Sequence, residues 1–182
     1  FIPESVTSIE TSAFDGCTNL ERINIPENLE SAGSGIFTGC TKLITAGPTE
    51  GQYNIKIELT DKIPEYLFSY SELTTAVIPN SVIELGERAF YEVESLETVE
   101  LAEQLETISD YAFYNCSGLA GIEFPEALKS IGQHAFSYCS GITSIIFPEA
   151  LETLGYSAFY NCSNLESVHF LSDAPSASSP FM

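Results

Sequence analysis

The chain has 182 residues, 44% of them hydrophobic, and a formal net charge of −20 with only six lysines and arginines. This length suits one domain with a substantial core, and the apolar content argues against disorder. The negative charge would repel phosphate backbones and anionic lipid headgroups, so nucleic acid and bare membrane are poor candidate partners. No apolar run approaches the roughly 20 residues of a membrane-spanning helix, so direct membrane insertion is not expected.

A period of 23 residues organises the chain from its first segment onward. Phe14 and Phe37 are 23 residues apart, and so are Cys17 and Cys40. Leucine and proline columns follow the same interval. The two clearest columns continue with Phe90, Phe113, Phe136 and Phe159, and with Cys116, Cys139 and Cys162. Because one such repeat cannot bury its own apolar face, neighbours must stack, and the period predicts a solenoid.

Each repeat contains two short strand-like pieces and a connecting segment. The first piece has the pattern L-x-x-I-x-I, as in Leu20, Ile23 and Ile25, and a proline ends it. The second piece is L-x-x-I, closed by a glycine such as Gly33. The following A-F-x-x-C segment is too short for a stable helix and is predicted to be a turn or one helical turn. The prediction is a mainly β solenoid with short helical turns and about seven repeats.

The third repeat departs from the period, since Phe37 and Phe68 are 31 residues apart. The extra residues include an alternating strand pattern over 53–60, flanked by turn signals. We interpret 44–66 as one long variant repeat rather than a domain boundary. Residues 1–182 are then one domain, with 171–182 ending the array. Because the chain starts and stops inside the pattern, we expect it to be a piece of a longer protein.

These residues resemble a known family. Residues 2–20, I-P-E-S-V-T-S-I-E-T-S-A-F-D-G-C-T-N-L, resemble the 23-residue leucine-rich repeat of BspA-like surface proteins. Residues 46–55, A-G-P-T-E-G-Q-Y-N-I, resemble a long variant turn of that family, and 172–175 resemble a segment that often interrupts its arrays. The resemblance implies a curved, right-handed leucine-rich repeat solenoid whose first strands form a parallel sheet. It also implies secretion or surface display, with adhesion to host proteins or other cells.

The outward positions of the first strands are the main candidate binding surface. They carry small polar residues together with the apolar Val77 and Ile146, a mixture that suits protein docking. The alternative is a sheet exterior without a binding role. The candidate partner-binding residues are Arg22, Asn24, Thr75, Val77, Thr98, Glu100, Glu123, Ile146 and His169.

Tyrosines beside the phenylalanine column form a second candidate surface. Tyr91, Tyr114 and Tyr160 each follow a core phenylalanine, and Tyr138 lies one residue further on. Aligned in a solenoid, they would make an aromatic ridge able to stack on sugars or to anchor a protein partner. The alternative is that these rings pack between repeats.

The cysteines and histidines do not predict metal or catalytic chemistry. Metal sites use clustered pairs, whereas these cysteines occur singly, so we interpret them as a buried column of reduced thiols. His134 precedes the Ala-Phe corner and is interpreted as a solvated turn residue. No nucleophilic constellation surrounds either histidine.

Acidic residues also form columns, which raises a calcium hypothesis. No D-x-D-x-D-G loop supplies a cage, so a solvated acidic edge is favoured and no metal or other cofactor is expected. The columns hold Glu4, Glu27, Glu103, Glu126 and Glu149, and then Glu30, Glu106 and Glu152 with Lys129 among them.

Three functions follow, all placed at the cell surface or outside the cell. The favoured one is a recognition or adhesion module that binds a host or other extracellular protein through the sheet face. A carbohydrate-binding module that uses the tyrosine ridge is the second, and a passive spacer of a larger surface protein is the third. An enzyme is not expected, because no catalytic constellation appears along the chain.

Overall fold

The computed structural model describes residues 1–26, 29–43, 45–46, 62–172, 176–177 and 180–181, and these residues form strands and turns. The predicted β solenoid is confirmed. The longer strand predicted over 53–60 lies outside the described residues. The strands are β1 (Ser8–Ile9), β2 (Arg22–Ile23), β3 (Ser31–Ala32), β4 (Thr45–Ala46), β5 (Lys62–Ile63), β6 (Thr75–Val77), β7 (Glu84–Leu85), β8 (Thr98–Glu100), β9 (Thr107–Ile108), β10 (Ser130–Ile131), β11 (Ser144–Phe147), β12 (Thr153–Leu154), β13 (Ser167–Phe170) and β14 (Ser176–Ala177).

Two parallel ladders run along the solenoid, one from each strand piece of the repeat. The second pieces build a six-stranded sheet in the order β14-β12-β10-β9-β7-β5, and β1 pairs with β3. Partners such as Ser130 and Thr153 are one 23-residue period apart. Each residue therefore stacks on its equivalent in the neighbouring repeat, which turns sequence columns into ladders.

The sheet expected from the first strand pieces is parallel but not continuous. It divides into the pairs β2–β4, β6–β8 and β11–β13. The interruption between β8 and β11 falls at residues 120–124, which form no strand and carry Gly121 at an outward position. Glycine has a low strand preference, which accounts for the break at this repeat. The longest sheet in the described residues therefore lies on the other side of the solenoid.

The expected short helical turns do not occur in the described residues, where the A-F-x-x-C segments are runs of tight turns. Around Phe113, both Tyr111 and Asn115 have positive φ, of 58° and 56°, a conformation that ends any helix. The N–H of Phe113 donates to the carbonyl of Ala135 in the next repeat at 2.8 Å. The N–H of Cys116 instead donates to the carbonyl of Phe113 in its own repeat at 3.2 Å. Backbone N–H donors thus alternate between a carbonyl of their own turn and a carbonyl of the neighbouring repeat. A helix would use all of them locally and would lose the hydrogen bonds between repeats.

A ladder of stacked phenylalanine rings fills the core behind these segments. Phe113, Phe136 and Phe159 are nearly fully buried, with successive ring centroids 5.1 Å apart. Phe181 stacks on Phe159 at 5.9 Å, so the period continues near the end of the chain. The whole ladder runs Phe14, Phe37, Phe68, Phe90, Phe113, Phe136, Phe159 and Phe181.

The cysteine column lies beside this ladder as expected, with one exception. All five cysteines are free, and those after the first are buried, whereas Cys17 is exposed. Each buried thiol donates to the carbonyl of the phenylalanine one repeat earlier, as Cys139 does to Phe113 at 3.1 Å. Burial raises the pKa of the Cys162 thiol to about 11, which keeps it protonated at neutral pH. The column is therefore structural in these repeats.

Glycine permits the closest approach of neighbouring repeats at the corner between the second strand and the tight turns. A Cβ added to Gly155 would lie 2.4 Å from the backbone N of Gln133, closer than any real contact. A side chain at Gly155 would therefore force its repeat away from the one before it. The strand register places Ser109 at the same position of an earlier repeat, so glycine is not needed in every repeat.

Candidate functional site

The first strands and their flanking residues present the predicted partner-binding residues on one surface, which we call the strand face. In β11 and β13, Ile146 aligns with His169, and 58% of Ile146 is exposed. In β6 and β8, Val77 aligns with Glu100. The exposed candidates are Arg22, Thr98, Glu100, Glu123, Ile146 and His169, whereas Asn24, Thr75 and Val77 are half-buried.

Two of these candidates are not available to a partner as they stand. The Asn24 amide accepts a hydrogen bond from the Ile2 N–H at 2.6 Å and donates one to the Ile2 carbonyl at 2.7 Å. It thereby replaces a backbone pair between neighbouring repeats and serves the fold. The Thr75 hydroxyl is buried and has no hydrogen-bond partner among the described residues, so it is inaccessible.

The four predicted ridge tyrosines lie side by side, and Tyr70 extends them by one repeat. Tyr91 and Tyr114 are stacked with centroids 4.9 Å apart and planes within 7°. Tyr114 and Tyr138 meet edge to face at 5.3 Å, and Tyr138 and Tyr160 at 5.4 Å. Tyr70 meets Tyr91 edge to face at 5.5 Å. We call Tyr70, Tyr91, Tyr114, Tyr138 and Tyr160 the tyrosine ridge.

A second row of side chains, four aromatic rings and the guanidinium of Arg88, runs beside the ridge and was not predicted from the sequence. Tyr111 stacks on His134 at 5.0 Å, and His134 meets Tyr156 edge to face at 5.8 Å. Four members of the row stand two residues before a core phenylalanine, and Tyr156 stands three before. That column of large side chains was the available signal. The second row comprises Tyr66, Arg88, Tyr111, His134 and Tyr156.

His134 is a turn residue as interpreted, with a φ of 53°, but it is only partly solvated. Its ring is half-buried in the second row, and Nδ1 lies 3.0 Å from the Ser137 hydroxyl. Because that hydroxyl donates to the Ser157 carbonyl at 2.7 Å, the contact is best satisfied by an Nδ1–H donor on His134. The imidazole thus replaces a tyrosine ring in the stack.

The two rows touch, so they form a single surface that we call the tyrosine face. Tyr111 of the second row lies 5.8 Å from Tyr114 of the ridge. The Arg88 guanidinium lies 4.6 Å from the Tyr111 centroid and 5.9 Å from that of Tyr91, and so contacts both rows. The most exposed rings are Tyr156 at 53% and Tyr70 at 43%. The other rings are held by their neighbours and show solvent only part of their surface.

Carboxylates set the electrostatics of the tyrosine face. Arg88 forms an ion pair with Glu87, and its Nη1 donates to the Tyr66 hydroxyl at 2.6 Å. Burial and then a hydrogen bond to Glu92 raise the pKa of Tyr91 to about 12. Burial, together with the charge of Glu92, also raises the pKa of Tyr70 and of Tyr114. The hydroxyls therefore remain protonated at neutral pH, next to negative charge.

The acidic columns do not converge on a cation in the part of the chain that the structure describes. No three His, Cys, Asp or Glu side chains there are grouped to hold a metal ion. Lys129 forms an ion pair with Glu106 of the preceding repeat at 2.9 Å and so offsets repulsion within its column. Glu27, a member of the other column, lies outside the described residues. Within those same residues, no helix is long and apolar enough to cross a membrane.

Comparison with known proteins agrees with the repeat geometry. The family described as "BspA type leucine rich repeat region" matches residues 1–56 and 61–179 in six copies, against the roughly seven repeats predicted. The chain belongs to the BspA-type leucine-rich repeat family. None of the curated proteins compared with the chain matches it.

Solved structures share the fold of this BspA-type chain. A leucine-rich cell surface protein of Faecalibacterium prausnitzii is 24% identical with a TM-score of 0.68, over 94% of this chain and 53% of that one. The pneumococcal vaccine antigen PcpA is 23% identical with a TM-score of 0.65, over 90% of this chain and 42% of that one. A leucine-rich repeat protein of T. pallidum is 19% identical with a TM-score of 0.53, over 100% of this chain and 76% of that one. The chain spans about half the length of the first two proteins.

Proposed function

We propose that this BspA-type chain is a recognition module of a secreted or cell-surface protein and that it binds a protein partner through the tyrosine face. The observation that carries the proposal is the continuity of that face from Tyr70 to Tyr160, with each ridge ring within 5.5 Å of the next. A surface location is supported by the family and by the description of the F. prausnitzii relative as a cell surface protein.

Physical chemistry favours tyrosines for this role. A tyrosine offers a large apolar ring and a hydroxyl while losing the freedom of only two side-chain torsions on binding. Here stacking between Tyr91 and Tyr114, and between Tyr111 and His134, already restricts the rings before a partner arrives. Part of the ordering cost of association is therefore met during folding.

The tyrosine face is less suited to carbohydrate. A sugar stacks on an open ring face, but the faces that Tyr91 and Tyr114 share are closed at a separation of 4.9 Å. The outward parts of such rings are edges and hydroxyls, which fit the mixed surface of a protein better.

The strand face is the second candidate protein-binding surface. Glu100, Glu123 and His169 are exposed, and their side chains make no hydrogen bond or ion pair with another described residue. Ile146 adds an exposed apolar side chain beside them. Since the fold does not use these groups, they are free for a partner, but they do not form a preordered surface.

A binding screen at physiological salt tests the proposal, with extracellular host proteins and a glycan panel probed together. Tyr70→Ser with Tyr160→Ser alters two exposed ridge rings and should weaken protein binding by at least about tenfold. The matched pair Glu100→Lys with Glu123→Lys alters the strand face and should change it far less. The reverse pattern would move the site to the strand face. If the parent chain binds a glycan and the tyrosine variant does not, the chain is a carbohydrate-binding module. If it binds nothing on either panel, the spacer function is favoured.

A further inference from the structure

The tyrosine face already binds one guanidinium group, that of Arg88. The Arg88 carbon Cζ lies 5.3 Å from the Tyr66 ring centroid and 4.6 Å from that of Tyr111. Its Nη1 donates to the Tyr66 hydroxyl, and Glu87 supplies the neutralising charge. A guanidinium is thus recognised here by three groups together: an aromatic ring, a phenolic oxygen and a carboxylate.

A ring, a phenolic oxygen and a carboxylate also lie together on the ridge around Tyr70. The backbone N–H of Tyr70 donates to the Tyr91 carbonyl at 2.9 Å, and the N–H of Glu92 donates to the Tyr114 carbonyl at 2.8 Å, so Glu92 lies between Tyr70 and Tyr114. Tyr70 is 43% exposed, and the charge of Glu92 acts on the hydroxyls of both Tyr70 and Tyr114. Arg88 is the described cation near these rings: its guanidinium lies 5.9 Å from the Tyr91 centroid and its charge also acts on Tyr70, but it is already paired with Glu87.

We propose that the partner of the tyrosine face is a cationic, arginine-rich protein segment that binds along the ridge between Tyr70 and Tyr114. This inference rests on the proposed function and names the chemistry of its partner. An arginine of the segment contacts the Tyr70 ring and donates to the Glu92 carboxylate, as Arg88 contacts Tyr111 and pairs with Glu87. The net charge of −20 supports the same choice, because it attracts a basic segment at long range and speeds its association.

The direct test uses the whole 182-residue chain and a short fluorescent peptide of alternating arginine and glycine. A second peptide carries citrulline, a neutral shape analogue, at each arginine. The arginine peptide should bind, and its affinity should fall as salt rises. The citrulline peptide should bind far more weakly, and equal binding of both peptides would overturn the proposal.

Neutral variants of the carboxylates locate the site without removing a ring. Glu92→Gln should weaken binding of the arginine peptide by roughly fivefold. The matched control, Glu126→Gln, removes the same charge at an exposed position after a first strand piece and should change binding by less than about twofold. Tyr70→Leu, which does remove a ring, should weaken binding roughly threefold, since a cation–π contact at an exposed site is modest. Equal losses in the two glutamine variants would show diffuse attraction and overturn the site.

The outcomes separate this inference from the proposed function. One outcome is that the arginine peptide does not bind, while a protein partner binds the parent chain and loses that binding in the Tyr70→Ser, Tyr160→Ser variant. That result would overturn the cationic segment but leave the tyrosine face as the binding surface. Glycan binding at the ridge overturns both. A melting curve for each variant confirms that the protein compared is folded.

Discussion

The tyrosine face and the strand face arise from the same repeat, yet they use side chains in opposite ways. On the strand face the backbone ladders hold the repeats together, and outward groups such as Glu100 and Glu123 contact no other described side chain through a hydrogen bond or ion pair. On the tyrosine face the side chains themselves link the repeats, as Tyr91 does with Tyr114. One face therefore offers free groups and the other offers preordered ones. Recognition and stability are therefore coupled on the tyrosine face, whereas Asn24, the strand-face candidate whose side chain does link repeats, is half-buried.

The largest effect is expected at the core beneath the tyrosine face. Phe136 is fully buried and stacks at 5.1 Å on both Phe113 and Phe159. Phe136→Ala should lower the free energy of unfolding by about 3–5 kcal/mol, through lost burial and the cavity left behind. Urea denaturation measures this loss. Ser144→Ala, an exposed change on the strand face, is the control and should stay within about 0.5 kcal/mol. Similar losses in the two variants would contradict the account of the core.

A smaller loss of stability should distinguish the two surfaces themselves. Tyr114 contacts Tyr91, Tyr111 and Tyr138, so Tyr114→Ala should lower the free energy of unfolding by roughly 1–2 kcal/mol. Thr98→Ala, on the exposed strand face, should cost less than about 0.5 kcal/mol. If both variants melt like the parent chain, the ridge rings do not link the repeats and the contrast between the faces fails.

The smallest effect is a loss of stability in alkali that depends on the tyrosine face. The folded pKa of Tyr91, about 12, lies above the ordinary value near 10, so folding favours the neutral hydroxyl. Its stabilising contribution is complete below about pH 10 and is lost as the pH rises towards about 12. Unfolding measured across this range should show the decline, and Tyr91→Phe should reduce it. Ultraviolet absorbance should show tyrosines that ionise late in the folded chain and normally in urea. Identical titrations in the two states would contradict this explanation.

The strands and the core could be predicted from the sequence because their signals are columns of single residue types. The phenylalanine and cysteine columns become ladders once the repeats stack, and the ridge of Tyr91, Tyr114 and Tyr160 follows from the same register. Strand continuity could not be predicted this way, since one outward glycine, Gly121, interrupts the first ladder without disturbing the inward pattern.

The conformation of the tight turns also lay beyond the sequence pattern. Tyr111 and His134 adopt positive φ, of 58° and 53°, although neither is glycine. Hydrogen bonds to the next repeat, such as His134 N–H to the Tyr156 carbonyl at 3.0 Å, hold this conformation in place. Because this conformation depends on the neighbouring repeat rather than on local preference, the sequence alone also allowed a helical turn here.

The most direct test of the central claim is a footprint of this chain with and without a protein partner found in the screen. Mild nitration would report access to Tyr70, Tyr156 and Tyr160, and carbodiimide labelling would report access to Glu100 and Glu123, both read by mass spectrometry. The account predicts that the partner protects the tyrosines and leaves the labelling of the two glutamates unchanged. Protection of Glu100 and Glu123 with the tyrosines still fully reactive would contradict it and place recognition on the strand face.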